Sequence, residues 1–321
     1  MSEPGAEPSI RVAALTKRFG AVTAIDNVTF AVTSGELFGL IGPDGAGKTT
    51  VLRVLAGVMA ADSGSVQVGG VDVVAYPEQV RARISYMPQR FGLYEDLTVD
   101  ENIRFFADVF EVPRRVREER AARLLAASGM QRFRRHLAGQ LSGGMKQKLG
   151  LTCALVHAPK VVLLDEPTTG VDPVSRREFW QILYGLRAEG AAIVISTAYL
   201  DEADRCDRLA LMHSGGLPYC EAPDALRARM PGAMVEIPTP RARAAREALA
   251  SVPGVRSVLM VGDGVHVHVD DARKALSDLE RALAQQGIEH TGAREILPSI
   301  EDLFVALLGN AAAAGRKAGA S

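Results

Sequence analysis

Apolar runs alternate with helically spaced apolar positions over most of residues 8–228. Residues 36–41 form a short apolar run that is typical of a buried strand, and residues 48–59 place apolar side chains on one helix face. Further apolar runs end at Asp165 and Ser196. Because strands that alternate with helices build a mainly parallel sheet, this region is predicted to be an α/β domain.

Residues 90–140 interrupt that alternation. They contain three tracts with helical spacing, at residues 99–110, 113–127 and 131–137. We therefore predict a helical insertion within the α/β domain.

The residues after 228 predict a second, smaller domain. Met230-Pro231-Gly232 marks the boundary, and residues 232–309 are predicted to form an α+β domain of the split βαβ type. The segments 1–7 and 310–321 are predicted to be disordered, the second because it is rich in Ala and Gly. The elements predicted for this domain are strand 234–237, helix 241–251, strands 256–260 and 265–269, helix 272–286, strand 288–295 and helix 300–308.

Two histidines in this domain could contribute to a metal site. His266 and His268 alternate with valines, so both side chains project from the same face of one strand. No third ligand lies nearby in the sequence, and a solvent-facing pair is the favoured interpretation.

A glycine-rich loop is the strongest chemical signal in the chain. Residues 42–49 match the phosphate-binding pattern GxxxxGK[ST] and lie between a predicted strand and a predicted helix. Lys48 is expected to reach the β- and γ-phosphates of a nucleotide, and the Thr49 hydroxyl to ligate Mg²⁺. A glycine turn that binds nothing is disfavoured, because strand, loop and helix all agree with the motif. The nucleotide-binding candidates are Gly42, Pro43, Asp44, Gly45, Ala46, Gly47, Lys48, Thr49 and Thr50.

An acidic pair ends the apolar run 161–164. Asp165 is placed to hold the Mg²⁺ shell, directly or through water, and Glu166 to orient or polarise an attacking water. The alternative is a helix-capping turn before Pro167, which the phosphate-binding loop makes the weaker interpretation.

A second glycine motif lies between these two. Ser142 can cap a helix that begins at Gly143, and Gly143 and Gly144 expose backbone N–H groups at its positive end. The run Leu141-Ser142-Gly143-Gly144-Met145 resembles the signature motif of the ATPase subunits of ABC transporters, although that family usually has Gln at the place of Met145. The resemblance implies that this motif faces ATP bound to a partner subunit.

The same resemblance assigns roles to three more positions. Phe19 matches the aromatic residue that stacks on adenine, with an apolar strand-end residue as the alternative. Gln89 matches the glutamine that touches Mg²⁺ and relays to the membrane subunit, which the resemblance places against the surface near residues 89–97. Asp172 matches a loop that crosses the dimer interface.

A further departure from the family pattern bears on hydrolysis. Where the family has a histidine that contacts the γ-phosphate, this chain has Ala198, and alanine offers no hydrogen bond. Tyr199 could substitute only if its side chain pointed into the pocket, and packing at the start of the next helix is favoured. ATP binding is therefore expected, whereas the sequence leaves open whether this site hydrolyses ATP.

Composition limits the kinds of partner and the cellular compartment that are expected. The chain has 321 residues, a net charge of −1 and only local arginine clusters, so no nucleic acid partner is expected. Three cysteines without CxxC spacing suit a reducing compartment. No signal-peptide layout and no apolar stretch of about 18 residues is present, so membrane association is expected to depend on a partner.

The chain, including its second domain with the run Pro298-Ser299-Ile300-Glu301-Asp302, resembles the ATPase subunits of drug and antibiotic exporters. The resemblance implies an ATP-binding and hydrolysing subunit that powers an exporter of drug, antibiotic or lipid-like cargo. The resemblance implies ATP and Mg²⁺ as ligands, integral-membrane permease subunits as partners, and a location at the cytoplasmic face of the bacterial cell membrane. A second ATPase subunit would be either an identical copy or a histidine-bearing partner. The alternatives are an importer ATPase, whose appended domain is commonly a small β-barrel, and a soluble ABC ATPase without a transport role.

Overall fold

The computed structural model describes residues 7–306. The segments predicted to be disordered, 1–7 and 310–321, lie outside the described residues apart from Glu7. The chain divides into two compact units, the first ending at Cys220 and the second beginning at Glu221, whereas the sequence suggested a boundary at residues 228–232. None of the helices in the described part of the chain has the length and apolar character needed to span a membrane.

The first unit begins with an antiparallel sheet. Its four strands lie in the order β2-β1-β4-β5. Their bounds are β1 Ile10–Phe19, β2 Val22–Val32, β4 Ser63–Val68 and β5 Val71–Asp72.

A six-stranded sheet forms the centre of this unit, in the order β10-β9-β3-β8-β7-β6. Its strands are β3 Leu37–Ile41, β6 Ile84–Met87, β7 Val161–Asp165, β8 Ala192–Thr197, β9 Arg208–His213 and β10 Gly216–Glu221. Strand β3 pairs in parallel with β8 and β9, and β7 pairs in parallel with β6 and β8. The carboxyl ends of β3, β6, β7 and β8 therefore lie along one edge of the sheet.

The two sheets and α1 share a hydrophobic core. Strands β3, β7 and β8 are buried along their whole length, which explains their continuous apolar sequences. Leu52 and Leu55 of α1 have no exposed surface, and the Phe30 and Phe38 rings stack 5.1 Å apart. Burial of each leucine contributes about 1.5–3 kcal/mol to this packing. Outside its helical insertion, the first unit contains the helices α1 Lys48–Leu55, α2 Pro77–Arg81 and α6 Pro173–Ala188.

The predicted helical insertion has its own core, but one of its predicted helices is wrong. Helices α3 Val99–Val109, α4 Arg114–Ala127 and α5 Gly143–Leu155 bury Ile103, Leu125 and Leu149 together. Residues 131–137 contain only the 3₁₀ turn Gln131–Phe133, and a second such turn covers Ala138–Gln140. The carbonyls of Arg134 and His136 accept hydrogen bonds from the first amides of α3, so the backbone there cannot continue as a helix.

The second unit has the predicted split βαβ arrangement. Its four strands lie in the antiparallel order β12-β13-β11-β14. Strand β14 covers only Arg294–Ile296 instead of the predicted 288–295, because residues 288–293 make no strand ladder: the Glu289 carbonyl accepts a bond from the Thr239 hydroxyl, and the Thr291 N–H bonds to Pro238 at the very end of β11. The elements are α7 Pro223–Ala228, β11 Ala233–Pro238, α8 Ala242–Leu249, β12 Val255–Val261, β13 Gly264–Val269, α9 Ala272–Gln285, β14 Arg294–Ile296 and α10, residues 300–306.

The prediction that His266 and His268 face solvent is wrong. His266 Nδ1 lies 3.0 Å from both carboxylate oxygens of Asp302 on α10. His268 is buried, and its Nε2 lies 2.6 Å from the carbonyl oxygen of Pro231. No cluster of three or more His, Cys, Asp or Glu residues suited to a metal occurs in residues 7–306. The histidines thus hold α10 and the chain before β11 against this sheet.

The His266–Asp302 pair is expected to make the docking of α10 depend on pH. The hydrogen bond to Asp302 raises the pKa of His266 above 6.5, with Glu236 and Glu301 adding to the effect. Burial raises the pKa of Asp302, but hydrogen bonds from His266 and Ser299 outweigh it and leave that pKa below its usual range. Because the pKa of His266 is raised on folding, the stabilisation is complete below pH 6.5 and is lost as pH rises through the folded pKa.

Hydrogen exchange in residues 300–306 tests this expectation. After correction for intrinsic exchange rates, protection should be constant below pH 6.5 and fall as the pH rises above it, because a charged hydrogen bond worth about 1.5–3 kcal/mol is lost. Asp302→Asn keeps the shape of the side chain but not its charge, so protection in that variant should be lower and nearly independent of pH. Equal pH dependence in the wild type and in Asp302→Asn would contradict the assignment.

Candidate functional site

The phosphate-binding loop, residues 42–49, joins β3 to α1 at the carboxyl edge of the sheet. A Cβ on Gly42 would lie 2.4 Å from the carbonyl oxygen of Met212. Gly47 has φ +106°, and a Cβ there would lie 2.5 Å from the carbonyl oxygen of Ala24. Both positions require glycine for steric reasons, and α1 begins directly after them with its N–H groups toward the loop.

Lys48 carries the positive charge of this loop. Its side chain is 4% exposed, and Nζ donates hydrogen bonds to the carbonyl oxygens of Gly42, at 2.8 Å, and Pro43, at 3.2 Å. Nζ also lies 3.3 Å from Glu166 Oε1. The ammonium group is therefore held inside the loop, where it can interact with a phosphate.

Three oxygen-bearing side chains meet beside the loop. Asp165 is buried at the end of β7, and its Oδ1 accepts hydrogen bonds from Thr49 Oγ1 at 3.0 Å and Ser196 Oγ at 2.8 Å. The parallel register that pairs Asp165 with Ser196 places these two groups side by side. The sequence analysis did not identify Ser196, although a polar residue near the end of an apolar strand was a usable signal.

Glu166 projects from the next position under backbone constraint. Its φ is +46°, which is uncommon for a non-glycine residue, and its N–H donates to the backbone oxygen and the hydroxyl of Ser196. Its Oε2 accepts a hydrogen bond from Gln89 Nε2 at 3.0 Å, and Gln89 follows the end of β6. The residues predicted to be catalytic, Glu166 and Gln89, are therefore in direct contact.

Lys48, Thr49, Gln89 and Glu166 line one cleft of about 510 Å³. Gly42 and Pro43 contribute carbonyl groups to Lys48, and Asp165 lies behind Thr49. Phe19, Ala198, Asp172 and the signature residues are not among the lining residues. Ala24 and Thr169 line the cleft without having been predicted, because neither belongs to a phosphate-binding pattern. The full lining is Ala24, Asp44, Gly45, Ala46, Gly47, Lys48, Thr49, Thr50, Gln89, Glu166 and Thr169.

The donor set fits a nucleotide with its magnesium ion. Thr49, Asp165 and Gln89 offer hydroxyl, carboxylate and amide oxygens, which are the ligands that Mg²⁺ prefers, and none of the three is a soft ligand. Lys48 and the backbone N–H groups of the loop provide positive charge for phosphate oxygens. Bound Mg²⁺ would neutralise charge on the phosphates.

The signature residues lie apart from the cleft lining, at the start of α5. Ser142 caps this helix by accepting a hydrogen bond from the Met145 N–H at 3.3 Å. Ser142 and Gly143 are exposed, and no atom lies within 4 Å of a Cβ built on Gly143. Gly144 is buried, and a Cβ there would lie 2.8 Å from Ser175 Oγ and 2.9 Å from Asp172 Oδ2. The start of α5 therefore packs closely against the start of α6.

Asp172 is the N-cap of α6. Its Oδ1 accepts hydrogen bonds from the N–H groups of Ser175 and Val174, at 2.9 and 3.1 Å. The bonds to Ser175 and Val174 hold the pKa of this carboxyl below its usual range. Asp172 thus presents a negative charge at the surface beside the signature helix.

The position of the missing histidine lies at the carboxyl end of β8. Ala198 is exposed and carries no polar side-chain atom. The Tyr199 ring lies over the guanidinium of Arg176 on α6, 4.6 Å from its central carbon, rather than within the cleft. Tyr199 therefore does not replace the histidine, and its ring packs on α6 rather than at the start of the following turn.

Phe19 lies at the end of β1 and is 49% exposed. Its only ring contact given by the described residues is with Lys17 Nζ, 5.6 Å from the ring centroid. An exposed aromatic face of this kind is available for stacking, and adenine stacking at Phe19 stays a prediction.

Comparisons with known proteins agree with this geometry. The family described as ABC transporter matches residues 25–169. The chain is 42% identical over 301 residues to the probable multidrug ABC transporter ATP-binding protein YbhF of Escherichia coli (strain K12), covering 92% of this chain and 51% of that protein. It is 35% identical over 315 residues to the daunorubicin resistance ATP-binding protein DrrA2 of Streptomyces coeruleorubidus, covering 94% and 95% of the two chains.

A solved structure shows the same fold in its first unit. The dimeric structure of MJ0796, a bacterial ABC transporter cassette, aligns with a TM-score of 0.61 and 26% identity over 66% of this chain and 98% of that chain. The chain spans about half the length of YbhF and nearly all of DrrA2. This chain belongs to the ATP-binding family of ABC transporters, and its predicted fold class, a P-loop α/β core with a helical insertion, is confirmed.

The two glycines of the signature offer a matched pair of substitutions. Gly144→Ala should destabilise the first unit by about 1–3 kcal/mol, because the added methyl group meets atoms of α6. Gly143→Ala adds the same methyl group in open space and should leave the unfolding midpoint nearly unchanged. Thermal unfolding of both variants without nucleotide measures the difference, and equal midpoints would contradict the close packing of α5 on α6.

Proposed function

We propose that this chain is the ATP-hydrolysing subunit of an ABC exporter and that two such ATPase subunits enclose two ATP molecules head to tail. In each site the loop, Lys48, Glu166 and Gln89 of one chain would face Ser142 and Gly143 of the other. Closure around ATP would drive the membrane subunits, and hydrolysis would reset them.

One observation carries the proposal. The cleft that contains Lys48 and Glu166 is lined by no signature residue, while Ser142 and Gly143 form an exposed helix start that can bind an anion. Each chain therefore offers two incomplete halves of a phosphate site. A head-to-tail pair completes both halves at once, and the exposed carboxylate of Asp172 would lie at the same interface.

The chain's own residues suggest how hydrolysis would proceed. Lys48 would stabilise negative charge that develops on the transferred phosphate, and Glu166 would orient the attacking water and accept its proton. Gln89 bonds to Glu166 at 3.0 Å and would hold that carboxylate in position. Mg²⁺, held through Thr49, Asp165 and Gln89, would supply further charge neutralisation.

Export of cargo through permease subunits is supported by two features. YbhF and DrrA2 are named for multidrug transport and daunorubicin resistance, and the second unit is a split βαβ domain rather than a small β-barrel.

An exposed aromatic pair lies close to Gln89 in the sequence. Tyr94 and Phe105, which contact each other edge to face at 4.7 Å, are 44% and 39% exposed. This aromatic surface would receive the membrane subunits, which would hold the protein at the cytoplasmic face of the cell membrane. The second ATPase subunit of the pair would be either another copy of this chain or a histidine-bearing ATPase subunit.

Complementation between two inactive variants tests the head-to-tail arrangement. Lys48→Ala removes the positive charge of Lys48 from the phosphate-binding loop. Ser142→Arg places a bulky side chain at the start of the signature helix α5. Each variant alone should hydrolyse ATP at least about a hundredfold more slowly than the wild type, whereas a mixture should recover activity because one site then has both halves intact. ATP turnover of the mixture that stays equal to that of the separate variants would contradict the shared site.

Ala198 is expected to limit hydrolysis by the chain alone. Loss of one positioned donor to a developing charge costs about 10²–10³ in rate, so Ala198→His should raise turnover of the purified subunit while ATP affinity changes little. Steady-state turnover and calorimetric affinity of the two proteins measure this. Brisk wild-type hydrolysis that is lost in Glu166→Gln and unchanged in Ala198→His would show that another residue supplies the missing contact.

A further inference from the structure

Glu202 is a buried acid that none of the sequence motifs explains. It lies in the 3₁₀ turn Leu200–Arg205 and has no exposed surface. Its Oε2 accepts a hydrogen bond from Thr168 Oγ1 at 3.0 Å, and its Oε1 accepts one from Trp180 Nε1 at 3.2 Å. Arg176 Nε lies 3.7 Å from Oε1. The carboxylate is therefore surrounded by donors alone.

The partners of Glu202 lie in two other parts of the candidate site, since Trp180 and Arg176 are both on α6 and Thr168 is in the turn after β7. Thr168 lies in the turn that begins at Glu166, where the Thr169 N–H donates to the carbonyl oxygen of Glu166. Trp180 lies on α6, whose N-cap is Asp172. Glu202 itself follows the β8 end that carries Ala198. The Glu202 side chain thus connects the turn that begins at Glu166, helix α6 and the segment after β8 that carries Ala198.

Because Glu202 is buried, its hydrogen bonds cannot be exchanged for bonds to water. A carboxylate without contact with water must keep its hydrogen-bond partners, because an unsatisfied buried charge is strongly unfavourable. Thr168 has no exposed surface either, and neither does Trp180. A shift of any one of the three segments would break a bond that water cannot replace, so the segments are expected to move together.

We propose that Glu202 is a positioning residue that couples the Glu166 turn to α6 and to the segment after β8. A nucleotide in the cleft would contact the first of these through Thr169 and Glu166, which line the cleft, and the bonds of Glu202 would transmit its position to the other two. The part that concerns Asp172 rests on the proposed closure of two subunits.

Trp180 supplies a direct readout, because it is the only tryptophan in the chain. Its indole N–H bonds to Glu202, and its ring also lies near Tyr184 and Arg205, so tryptophan fluorescence reports on the surroundings of this one residue. MgATP added to the full-length wild-type chain should change the emission of Trp180. No emission change at saturating MgATP, with binding demonstrated by calorimetry, would overturn the proposal.

Three threonine variants separate coupling from a merely structural role. Thr168→Val removes the hydroxyl that bonds to Glu202 and keeps the shape of the side chain, and Thr168→Ser restores the hydroxyl. Thr152→Val is the matched control, since Thr152 is equally buried but bonds only to Lys148 of its own helix. The nucleotide cleft itself is unchanged in all three.

We expect Thr168→Val to bind MgATP within about twofold of the wild type, to lose most of the Trp180 response and to lower kcat at least about tenfold with KM nearly constant, as misplaced catalytic groups do. Thr168→Ser should recover both the response and kcat, and Thr152→Val should match the wild type. A wild-type response and kcat in Thr168→Val would overturn the proposal, as would equal losses in Thr152→Val.

Light scattering of the same proteins distinguishes this proposal from the proposed function. A Trp180 response that requires Thr168 in a protein that stays monomeric with MgATP would support the coupling by Glu202 and contradict the two-subunit closure. Dimers that form with MgATP, together with an unaltered Trp180 response in Thr168→Val, would overturn the coupling alone.

Discussion

The candidate site depends on the parallel pairing of β7 with β8 and of β8 with β3. This register places Asp165 opposite Ser196 and brings the carboxyl ends of the three strands to one edge of the sheet. Since the loop of residues 42–49 follows β3, Lys48 and Thr49 then meet the acidic pair that follows β7. Open α/β sheets bind ligands at this edge for the same reason. A slip in the register of β7 would separate Thr49 from Asp165 and remove the oxygen ligands offered to a metal.

Motifs whose residues lie close together in the sequence could be predicted from the sequence alone. The phosphate-binding loop and the pair Asp165 and Glu166 carry their chemistry in local spacing, and the structure places Thr49 in contact with Asp165 and Lys48 beside Glu166. Ser196 is marked in the sequence only as a polar residue at the end of an apolar run, because its contact with Asp165 comes from the pairing of β8 with β7 and not from local spacing. Glu202 was missed for the same reason, since its three partners lie far from it in sequence.

Errors in the prediction also have tertiary causes. Residues 131–137 have helical spacing, yet their carbonyl groups are used by the first turn of α3, so no third helix forms there. His266 and His268 looked solvent-facing in an alternating strand, because the sequence does not show that α10 covers that face and supplies Asp302. Local patterns predict which elements form, whereas the partners of polar side chains depend on how those elements pack.

The departure that bears on hydrolysis, Ala198, lies directly after β8. Binding groups are present in the loop and at Asp165, but the segment after β8 has Ala198 and turns Tyr199 toward Arg176. That segment is nevertheless tied to the cleft through Glu202. We infer that binding and closure are retained while the rate of hydrolysis depends on a group that this chain lacks.

The central claim is that a complete ATP site requires two subunits. Native mass spectrometry of Glu166→Gln with MgATP tests it most directly, because this substitution keeps the binding groups and slows hydrolysis. The account predicts a dimer that carries two ATP molecules when the chain pairs with itself, or one copy of each subunit with two ATP molecules when a partner ATPase is added. A monomer that carries one ATP under both conditions, at saturating nucleotide, would contradict it.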